Sequence, residues 1–311
     1  MRGQMSADSQ TGGLLLVDKP GGMTSHDIVA GIRRHVRPLR VGHTGTLDPL
    51  ATGLLILCVG EAVKISGFIE KEDKVYRGVA LLGLQTDTQD VTGKVTARTA
   101  VENISEEQVR KIASRFIGEV EQRPPAFSAV KIGGVRAYKL ARNSKPVEMK
   151  TRRVRITRFD IERVRLPRVD FVVECSKGTY IRALCNDLGA ALGVGGCMES
   201  LRRLSIGQYT VDNAKAFAEL NSREAVMQTL LPASEALSYT PAVVCGSEDA
   251  RLIECGMPVI VSNDLEPVKN GDSLAHALGP DGELLAVGRL VKKGETLLFQ
   301  PKRVLMTGRR R

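Results

Sequence analysis

The sequence predicts an α+β fold followed by a small all-β C-terminal domain. Short apolar runs typical of strands mix with amphipathic helical patterns, and few regular strand–helix–strand repeats occur, which favours α+β over α/β. From about Thr240 the pattern changes to short strands separated by Gly, Pro and Asp turns. A length of 311 residues suits one large and one small domain. We therefore expect a disordered lead-in at 1–11, a main domain at 12–238 and a second domain at 239–311.

The first elements follow from the apolar pattern. GLLLVDKP predicts a short buried strand that ends at Pro20, and LLILCV predicts a second buried strand. Between these strands, either Thr24 or Ser25 can cap a helix. The apolar stripe of that helix consists of Ile28, Val29, Ile32 and Val36.

The central part of the chain alternates strands with polar segments. KVYRGVALLG predicts a strand from near Lys74, and GLQTDTQDVTG after it predicts a loop. Ser105 and Gln108 have the spacing of a capping box, so a helix is expected to begin there. TRRVRITRFDIERV alternates, but its phase changes between Ile156 and Phe159, which predicts a β-bulge or a bend near Thr157–Arg158.

The last elements of the main domain are a strand and a helix. Clean alternation predicts a half-buried strand with inward residues Val169, Phe171, Val173 and Cys175. After Gly178 a helix is expected, with one apolar face made of Ile181, Leu184, Cys185 and Leu188. In the C-terminal region PVIVSN, GELLAVGRL and ETLLFQP predict short strands.

The charge balance indicates an anionic polymer as partner. Lys and Arg number 45 against 35 Asp and Glu, which leaves a net charge of +10. The cations cluster in RRHVRPLR, in the stretch from Arg136 to Arg158, and in the GRRR tail. Trp is absent and aromatic residues make up 4%, which disfavours a surface that stacks many bases in series. A generally basic surface without such a partner is the alternative.

The composition also excludes several classes of protein. No apolar run approaches the roughly 18 residues of a membrane span, and the polar start MRGQMSADSQTGG does not resemble a signal peptide. The six cysteines lack CxxC spacing, so we expect buried free thiols in a reducing cytoplasm. A zinc site is not expected with this spacing and four histidines.

The loop VGHTGTLDPLATG is more polar than a turn requires. Asp48 precedes Pro49, which restricts its backbone to extended geometry. A carboxylate held in this way can serve as a nucleophile or a base, although an Asx-turn or a helix cap is the structural alternative. His43 and the hydroxyl groups of Thr44 and Thr46 have no obvious role in a simple turn, which favours a function.

Three further segments carry candidate residues. Arg182 lies near a helix start, where a cation opposes the helix dipole, so it is either held for a partner such as a carboxylate or solvated. Tyr76, between cations in KVYRG, is a site residue or a core tyrosine. Asp87 and Asp90 lie three apart on a Thr-rich segment, where they can bind a metal or organise a polar network; with no third carboxylate or His nearby, a divalent metal site is disfavoured.

Taken together, these motifs resemble the TruB family of bacterial tRNA pseudouridine synthases, which act on position 55 of the T loop. HTGTLDPLATGLL, KVYRG, GLQTDTQD, RPPAFSAVKIGGVRAYKLAR, SKGTYIRALCNDLG and LRRLSIGQY occur in the family's order. The similarity covers roughly Leu14 to Thr210. It implies a mixed, mainly antiparallel sheet of the pseudouridine synthase type, and the C-terminal strands resemble a PUA-like RNA-binding domain.

The resemblance implies catalytic roles for Asp48, Tyr76 and Arg182 and a substrate-binding role for His43. Asp48 corresponds to the catalytic aspartate, which acts either by attack on the base or sugar or by assisting glycosidic cleavage. His43 resembles the residue that fills the space left by a flipped base. Tyr76 resembles the ring that packs on the flipped uracil and accepts or relays the C5 proton. Arg182 resembles the partner of Asp48, which an ion pair would keep ionised.

The resemblance also implies supporting residues and no cofactor. Tyr180 and Leu201 match positions that line the base pocket. Lys64, Asp90 and Lys19 match a supporting polar network, in which Lys19 belongs to the family's opening Lys-Pro pair. An isomerisation gains and loses no atoms or electrons, so it requires neither a redox cofactor nor a metal.

The basic insertion at about 124–150 resembles an element that closes over the T arm of tRNA. Relatives that use guide RNA tend to lack it, so its presence implies recognition of the tRNA T stem-loop without guide RNA. A monomer is the default expectation. The RNA-backbone candidates are Arg136, Lys139, Arg142, Arg152 and Arg153.

Two other functions stay open from the residues alone. A glycosidase-like hydrolase would need a second carboxylate as general acid, for which Asp87 or Asp90 can be nominated. A non-enzymatic RNA-binding or RNA-folding protein would explain the basic clusters without Asp48. The products distinguish the three functions: a hydrolase releases free uracil, a synthase forms pseudouridine, and a binding protein leaves the RNA unmodified.

Overall fold

The computed structural model of the chain describes residues 12–128, 130–132, 134–137, 149–261 and 273–305. The predicted lead-in at 1–11, Lys139 and Arg142 of the basic insertion, and the GRRR tail lie outside these ranges. The described residues belong to two compact units. Unit 1 draws on Met1–Asp48, Leu55–Glu70 and Asp212–Arg311, and unit 2 draws on Pro49–Leu54 and Lys71–Val211.

The elements are numbered in chain order. The strands are β1 (Gly12–Lys19), β2 (Val41–His43), β3 (Thr52–Gly60), β4 (Lys74–Leu82), β5 (Leu84–Thr86), β6 (Val95–Arg98), β7 (Gly118–Gln122), β8 (Lys131–Ile132), β9 (Val135–Arg136), β10 (Arg152–Arg165), β11 (Arg168–Cys175), β12 (Gly196–Ile206), β13 (Tyr209–Thr210), β14 (Lys215–Ala216), β15 (Ala242–Val244), β16 (Val259–Val261), β17 (Ser273–Leu278), β18 (Leu284–Lys293) and β19 (Thr296–Val304). The α-helices are α1 (Ser25–Val36), α2 (Ser66–Ile69), α3 (Glu106–Ser114), α4 (Ile181–Ala191), α5 (Arg223–Thr229) and α6 (Ser247–Glu254).

The N-terminal part of unit 1 places a capped helix after a buried strand. Strand β1 pairs in parallel with β14, and β2 pairs antiparallel with β3. Helix α1 is capped by Thr24, whose side chain accepts from the backbone N–H of Asp27 while the Asp27 carboxylate accepts from Thr24. Of the two predicted caps, the structure therefore selects Thr24. The predicted apolar stripe of the helix is buried, as Ile28, Val29, Ile32 and Val36 are at most 3% exposed.

Unit 2 is built on a mixed, mainly antiparallel sheet, as predicted. Its strands follow the order β7-β10-β11-β4-β12, each pair antiparallel, and the start of β3 adds to β12 in parallel. The parallel contact is close: at Gly53, with φ of +98°, a Cβ atom would lie 2.3 Å from the carbonyl oxygen of Arg203. Only glycine fits at this position without strain.

Helices and aromatic residues fill the core of unit 2. The predicted capping box of α3 is present, because Ser105 and Gln108 bond to each other's backbone N–H. The Phe159 ring meets that of Phe171 edge to face, with centroids 5.5 Å apart. The predicted bulge in β10 is confirmed by a register shift between Ile156 and Arg158.

One predicted loop proved to be partly strand. GLQTDTQDVTG was expected to be irregular throughout, but its first residues form β5, which pairs antiparallel with β6. Gly83 and the turn from Asp87 to Gly93 lie outside the strand. The prediction failed because a three-residue strand gives too short a pattern to recognise.

The C-terminal strands form a β domain with a core of its own. The five strands follow the order β15-β17-β18-β19-β16, with β15 and β17 parallel and the other pairs antiparallel. The core includes Val259, Leu290 and Phe299. Helix α6 packs its Ala250 and Ile253 into this core, so the domain contains one helix that the all-β prediction omitted. The predicted boundary at residue 239 stays a prediction.

The cysteines largely follow expectation. Five are buried and free, and Cys255 is exposed. Burial raises the pKa of the Cys58 and Cys175 thiols to about 12. Within the described residues, no helix has both the length and the apolarity of a membrane span.

Candidate active site

The loop that carries Asp48 is fixed on its N-terminal side by backbone and side-chain hydrogen bonds. Strand β2 leads into it, with His43 opposite Leu57. The Thr44 N–H and hydroxyl then both donate to the carbonyl of Ile56, at 3.1 and 3.4 Å, and Thr44 is 1% exposed. Thr44 is therefore a structural residue, which gives its hydroxyl a role that the sequence did not indicate.

Ser25 holds the residue immediately before Asp48. Its hydroxyl donates to the Leu47 carbonyl at 3.1 Å and accepts from the Leu47 N–H at 2.8 Å. Ser25 and Leu47 are 2% and 3% exposed, so water cannot readily replace these bonds. Asp48 itself is half-buried.

Two other predicted site residues of unit 1, His43 and Lys19, differ in their burial and hydrogen bonds. His43 is half-buried, and its Nδ1 accepts from the Gly45 N–H at 3.3 Å. This bond leaves Nε2 as the protonated nitrogen of the neutral ring. Lys19 is fully buried and donates to the carbonyls of Pro20 and Met23, at 2.8 and 2.7 Å. It thereby holds the turn between β1 and α1.

Lys64 has the bonds of a structural residue in unit 1. Its ammonium forms an ion pair with Glu61 at 2.6 Å and donates to the Val304 carbonyl at 2.9 Å. Its side chain is 36% exposed. The resemblance placed Lys64 and Asp90 in one supporting polar network. Neither of these two bonds involves Asp90, so that network stays a prediction.

In unit 2 the sheet places Tyr76 and Leu201 on one face. Tyr76 on β4 lies opposite Arg203 on β12, and Gly78 lies opposite Leu201. Residues two apart on a strand share a face, so Tyr76, Leu201 and Arg203 lie on the same side of the sheet. Tyr76 is 8% exposed and Leu201 7% exposed, while Arg203 is 1% exposed and donates through Nε to the Leu54 carbonyl at 2.7 Å.

Arg182 is buried and held by several groups. Its two terminal nitrogens donate to the carbonyls of Thr88, at 2.8 Å, and Phe127, at 3.0 Å. Its Nε lies 3.8 Å from the Asp90 carboxylate, and the arginine is 5% exposed. The sequence predicted a carboxylate partner, and Asp90 is one. Asp48 and Arg182 belong to different units, and their pairing stays a prediction.

Asp90 organises the turn against which Arg182 packs. Its carboxylate accepts from the hydroxyl of Thr88 at 2.9 Å and from the N–H and hydroxyl of Thr92, at 2.9 and 2.5 Å. It is 6% exposed. Asp87 in the same turn accepts from the Lys94 N–H at 2.8 Å. The two acids therefore hold this turn together through their hydrogen bonds.

Tyr180 is clamped by Gln122 and covered by Arg152. The Gln122 amide accepts from the Tyr180 N–H at 2.7 Å and donates to its carbonyl at 3.0 Å. The Arg152 guanidinium stacks 4.5 Å from the centre of the Tyr180 ring and also donates to the Gly178 carbonyl. Because Tyr180 is the N-terminal cap residue of α4, these contacts fix the helix start that carries Arg182.

Of the predicted RNA-backbone residues, the structure describes the side chains of Arg152 and Arg153. Strand alternation places Arg152 and Arg153 on opposite faces of β10, and Arg153 shares its face with Arg155. Arg155 forms an ion pair with Asp73 at 3.0 Å, and Arg158 lies 3.9 Å from Glu174. The side chain of Arg136, together with Lys139 and Arg142, lies outside the described residues.

The outer strand residues of unit 2 carry compensating charges around a cavity. The pairs include Arg77–Glu162 at 3.1 Å and Arg163–Asp170 at 2.7 Å. Both pairs line a cavity of about 610 Å³, which Leu201 also borders. Each of these two arginines has an acid beside it, and Arg202, which donates to the Thr52 hydroxyl at 3.5 Å, also lines the cavity. Among the described residues, no three His, Cys, Asp or Glu side chains converge as metal ligands.

Two family models match the chain. Residues 33–181 match the family model of the TruB family pseudouridylate synthase N-terminal domain, and residues 182–238 match that of the tRNA pseudouridylate synthase B C-terminal domain. The chain belongs to the TruB family of pseudouridylate synthases. This TruB-family chain is therefore an enzyme, an RNA-modifying isomerase, as the motifs predicted.

Curated relatives of this TruB-family enzyme match along almost all of its length. A protein of Geobacter sulfurreducens named tRNA pseudouridine synthase B is 38% identical over 288 residues, which cover 92% of this chain and 93% of the relative. A protein of the same name from Clostridium tetani is 39% identical over 282 residues, 91% of this chain and 96% of the relative.

Solved structures share the fold of this TruB-family enzyme at lower identity. One, described as an H/ACA RNP bound to a substrate RNA containing 2′-deoxyuridine, matches with a TM-score of 0.72 and 20% identity, over 96% of this chain and 86% of that one. Another, a Cbf5-Nop10-Gar1 complex, matches with a TM-score of 0.71 and 22% identity over the same shares. These likenesses confirm the predicted pseudouridine synthase fold.

Sequence analysis missed several residues that hold the site. Ser25 was considered only as a helix cap, and Gln122, Arg203 and the two threonines beside Asp90 were not singled out. The adjacent hydroxyls of Thr24 and Ser25 were the one available indication, because a helix uses only one cap. Gln122 lies 58 residues from Tyr180 along the chain, and no local pattern indicates that contact.

Proposed function

We propose that this enzyme converts uridine to pseudouridine at position 55 in the T loop of tRNA, without guide RNA. The observation that carries the proposal is the match to the TruB family over residues 33–238 together with near full-length relatives named tRNA pseudouridine synthase B. The net charge of +10 suits a polyanionic substrate. We further propose that the enzyme acts as a cytoplasmic monomer.

The reaction breaks the bond from ribose C1′ to uracil N1 and forms a bond from C1′ to C5. The proton at C5 leaves and N1 gains one, so the product has the mass of the substrate. The target uridine must leave its stack to reach a carboxylate on a loop, which implies base flipping. In this proposal Asp48 acts on the base or sugar, or assists the cleavage of the glycosidic bond.

Asp48 is suited to this role by the rigidity of its loop. The bonds to Thr44 and Leu47 hold the backbone on its N-terminal side, and Pro49 restricts Asp48 itself. A carboxylate held in advance of substrate binding needs little reorganisation during the reaction. His43, at the entrance to the same loop, is proposed to fill the space that the flipped base leaves.

Tyr76 and Arg182 are proposed to complete the site. Tyr76 is buried on the face shared with Leu201, where its ring can pack on uracil and its hydroxyl can accept or relay the C5 proton. Arg182 is proposed to keep Asp48 ionised and aimed. Its bonds to the Thr88 and Phe127 carbonyls support a fixed guanidinium position rather than a solvated one.

A hydrolytic reaction is disfavoured by the bonds of the other acids. A glycosidase would require a second carboxylate free to protonate the leaving group. Asp90 accepts three hydrogen bonds within its own turn, and Asp87 accepts one from the Lys94 backbone. Both acids are therefore engaged in structure, and an isomerisation has no water to activate.

The test uses an unmodified tRNA transcript with the purified enzyme and no other RNA. Pseudouridine mapping is expected to show one modified position, in the T loop, and an isolated T stem-loop is expected to be modified as well. A transcript with the target uridine replaced by cytidine is the control. Modification elsewhere, dependence on an added guide RNA, or release of free uracil would each contradict the proposal.

A further inference from the structure

We propose that Ser25 is a positioning residue for Asp48, acting through the backbone of Leu47. The inference rests on the proposed catalytic role of Asp48. It assigns to Ser25 a part in the reaction rather than in the start of helix α1 alone.

The hydroxyl of Ser25 makes the two bonds that a backbone partner would make. It accepts from the Leu47 N–H at 2.8 Å and donates to the Leu47 carbonyl at 3.1 Å, across 22 residues of chain. A serine hydroxyl has one proton, and the bond to the carbonyl uses it. Both residues are almost fully buried, so the loop has no solvent to satisfy these groups if the hydroxyl is removed.

The restraint that these bonds place on Leu47 reaches Asp48 through the planar peptide bond between the two residues. The Leu47 carbonyl lies in the same peptide plane as the nitrogen and Cα of Asp48. A bond that fixes this carbonyl therefore fixes where the Asp48 side chain begins. The following Pro49 removes further freedom from the Asp48 backbone, so few torsions remain between Ser25 and the carboxylate.

Ser25 is itself held, and its hydroxyl is not needed as a helix cap. Lys19 binds the carbonyls of Pro20 and Met23 and so fixes the turn that precedes α1. Thr24 already caps the helix, with a reciprocal bond to Asp27. The cap is complete without Ser25, so the stability of the helix does not account for the two bonds to Leu47.

The experiment compares Ser25→Ala with Thr24→Ala, which removes the neighbouring hydroxyl from the same helix start. Single-turnover formation of pseudouridine and the Kd for an unmodified tRNA transcript are measured for both, after circular dichroism shows that each is folded. Ser25→Ala is expected to lower the rate about 10–100-fold, the scale of a misplacement near 1 Å, with Kd within about twofold of wild type. Thr24→Ala is expected to keep a rate within about threefold of wild type, because the Leu47 bonds remain.

A second variant covers the case in which Ser25→Ala does not fold. Ser25→Cys is nearly isosteric, and its thiol is a weak donor and acceptor, so its rate is expected to lie between those of wild type and Ser25→Ala. A wild-type rate for Ser25→Cys would overturn the proposal if the alanine variant is unfolded.

Three outcomes would overturn the proposal: a wild-type rate for Ser25→Ala, an equal rate loss for Thr24→Ala, or a loss of affinity that matches the loss of rate. Asp48→Asn is measured beside them. If Asp48→Asn is as active as wild type, the proposed function of Asp48 fails. If it is inactive while Ser25→Ala is normal, the inference about Ser25 alone fails.

Discussion

The clamp of Gln122 on Tyr180 gives a prediction that can be worked out from the structure. Gln122→Met keeps a similar side-chain volume but removes the bonds to the Tyr180 N–H and carbonyl, at 2.7 and 3.0 Å. Gln122 is 3% exposed, whereas Tyr180 is half-buried, so water can satisfy part of what is lost. A neutral hydrogen bond contributes about 0.5–1.5 kcal/mol, and two of them amount to roughly 1–3 kcal/mol of unfolding free energy.

Thermal unfolding followed by circular dichroism measures this effect. For a domain of about 150–250 residues, 1 kcal/mol shifts Tm by roughly 2–4 °C, so a fall of roughly 2–12 °C is expected. Because Tyr180 precedes the helix turn that carries Arg182, we also expect slower pseudouridine formation. The control is Gln108→Met, the same change at an exposed helix start, where a loss of a few tenths of a kcal/mol is expected. A Tm for Gln122→Met equal to that of Gln108→Met would refute the reasoning.

Three further predictions concern thiols, pH and salt. In the native protein one thiol, that of Cys255, should react fast with a disulfide reagent, and in denaturant all six should react. Burial shields the other five and raises the pKa of Cys58 and Cys175 to about 12. Two or more fast-reacting thiols in the native protein would contradict the described burial. Burial lowers the pKa of His276 from 6.5, so as pH falls the unfolded chain binds a proton at this histidine before the folded chain does. The free energy of unfolding should therefore fall as pH drops below about 6.5. His276→Gln should flatten this fall, and an unchanged pH profile in that variant would contradict the prediction. The logarithm of the tRNA binding constant should decrease with the logarithm of salt concentration, by about 0.7–0.9 per phosphate contacted, and a flat response would exclude contacts to the tRNA backbone.

Much of the fold was predictable because its elements carry local patterns. The stripe of α1, the capping box of α3, the alternation of β11 and the phase change in β10 each depend on neighbours within a few residues, and all four are present. Strand β5 was missed because three residues give no period. The alternation of β10 also separates Arg152 from Arg153, which shows that clustering along the chain does not mean clustering on a surface.

The sequence singled out candidate residues for the site but not the residues that hold them in place. Asp48 and Arg182 stood out because a carboxylate in a polar loop and a cation at a helix start are unusual. The residues that hold them lie far away in sequence: Ser25 is 22 residues from Leu47, and Thr88 is 94 residues from Arg182. Such contacts arise only from tertiary structure, and apart from the adjacent hydroxyls of Thr24 and Ser25 no local pattern in the sequence indicates them.

The central claim is that Asp48 carries the isomerisation, and one measurement tests it most directly. Wild type, Asp48→Asn and the control Asp87→Asn are each incubated with an unmodified tRNA transcript, and T-loop pseudouridine and tRNA affinity are measured on the same samples. Asp87→Asn keeps the acceptor for the Lys94 N–H and should behave as wild type. The account predicts that Asp48→Asn binds tRNA with wild-type affinity and forms no pseudouridine. Pseudouridine formation by Asp48→Asn at the wild-type rate would contradict it.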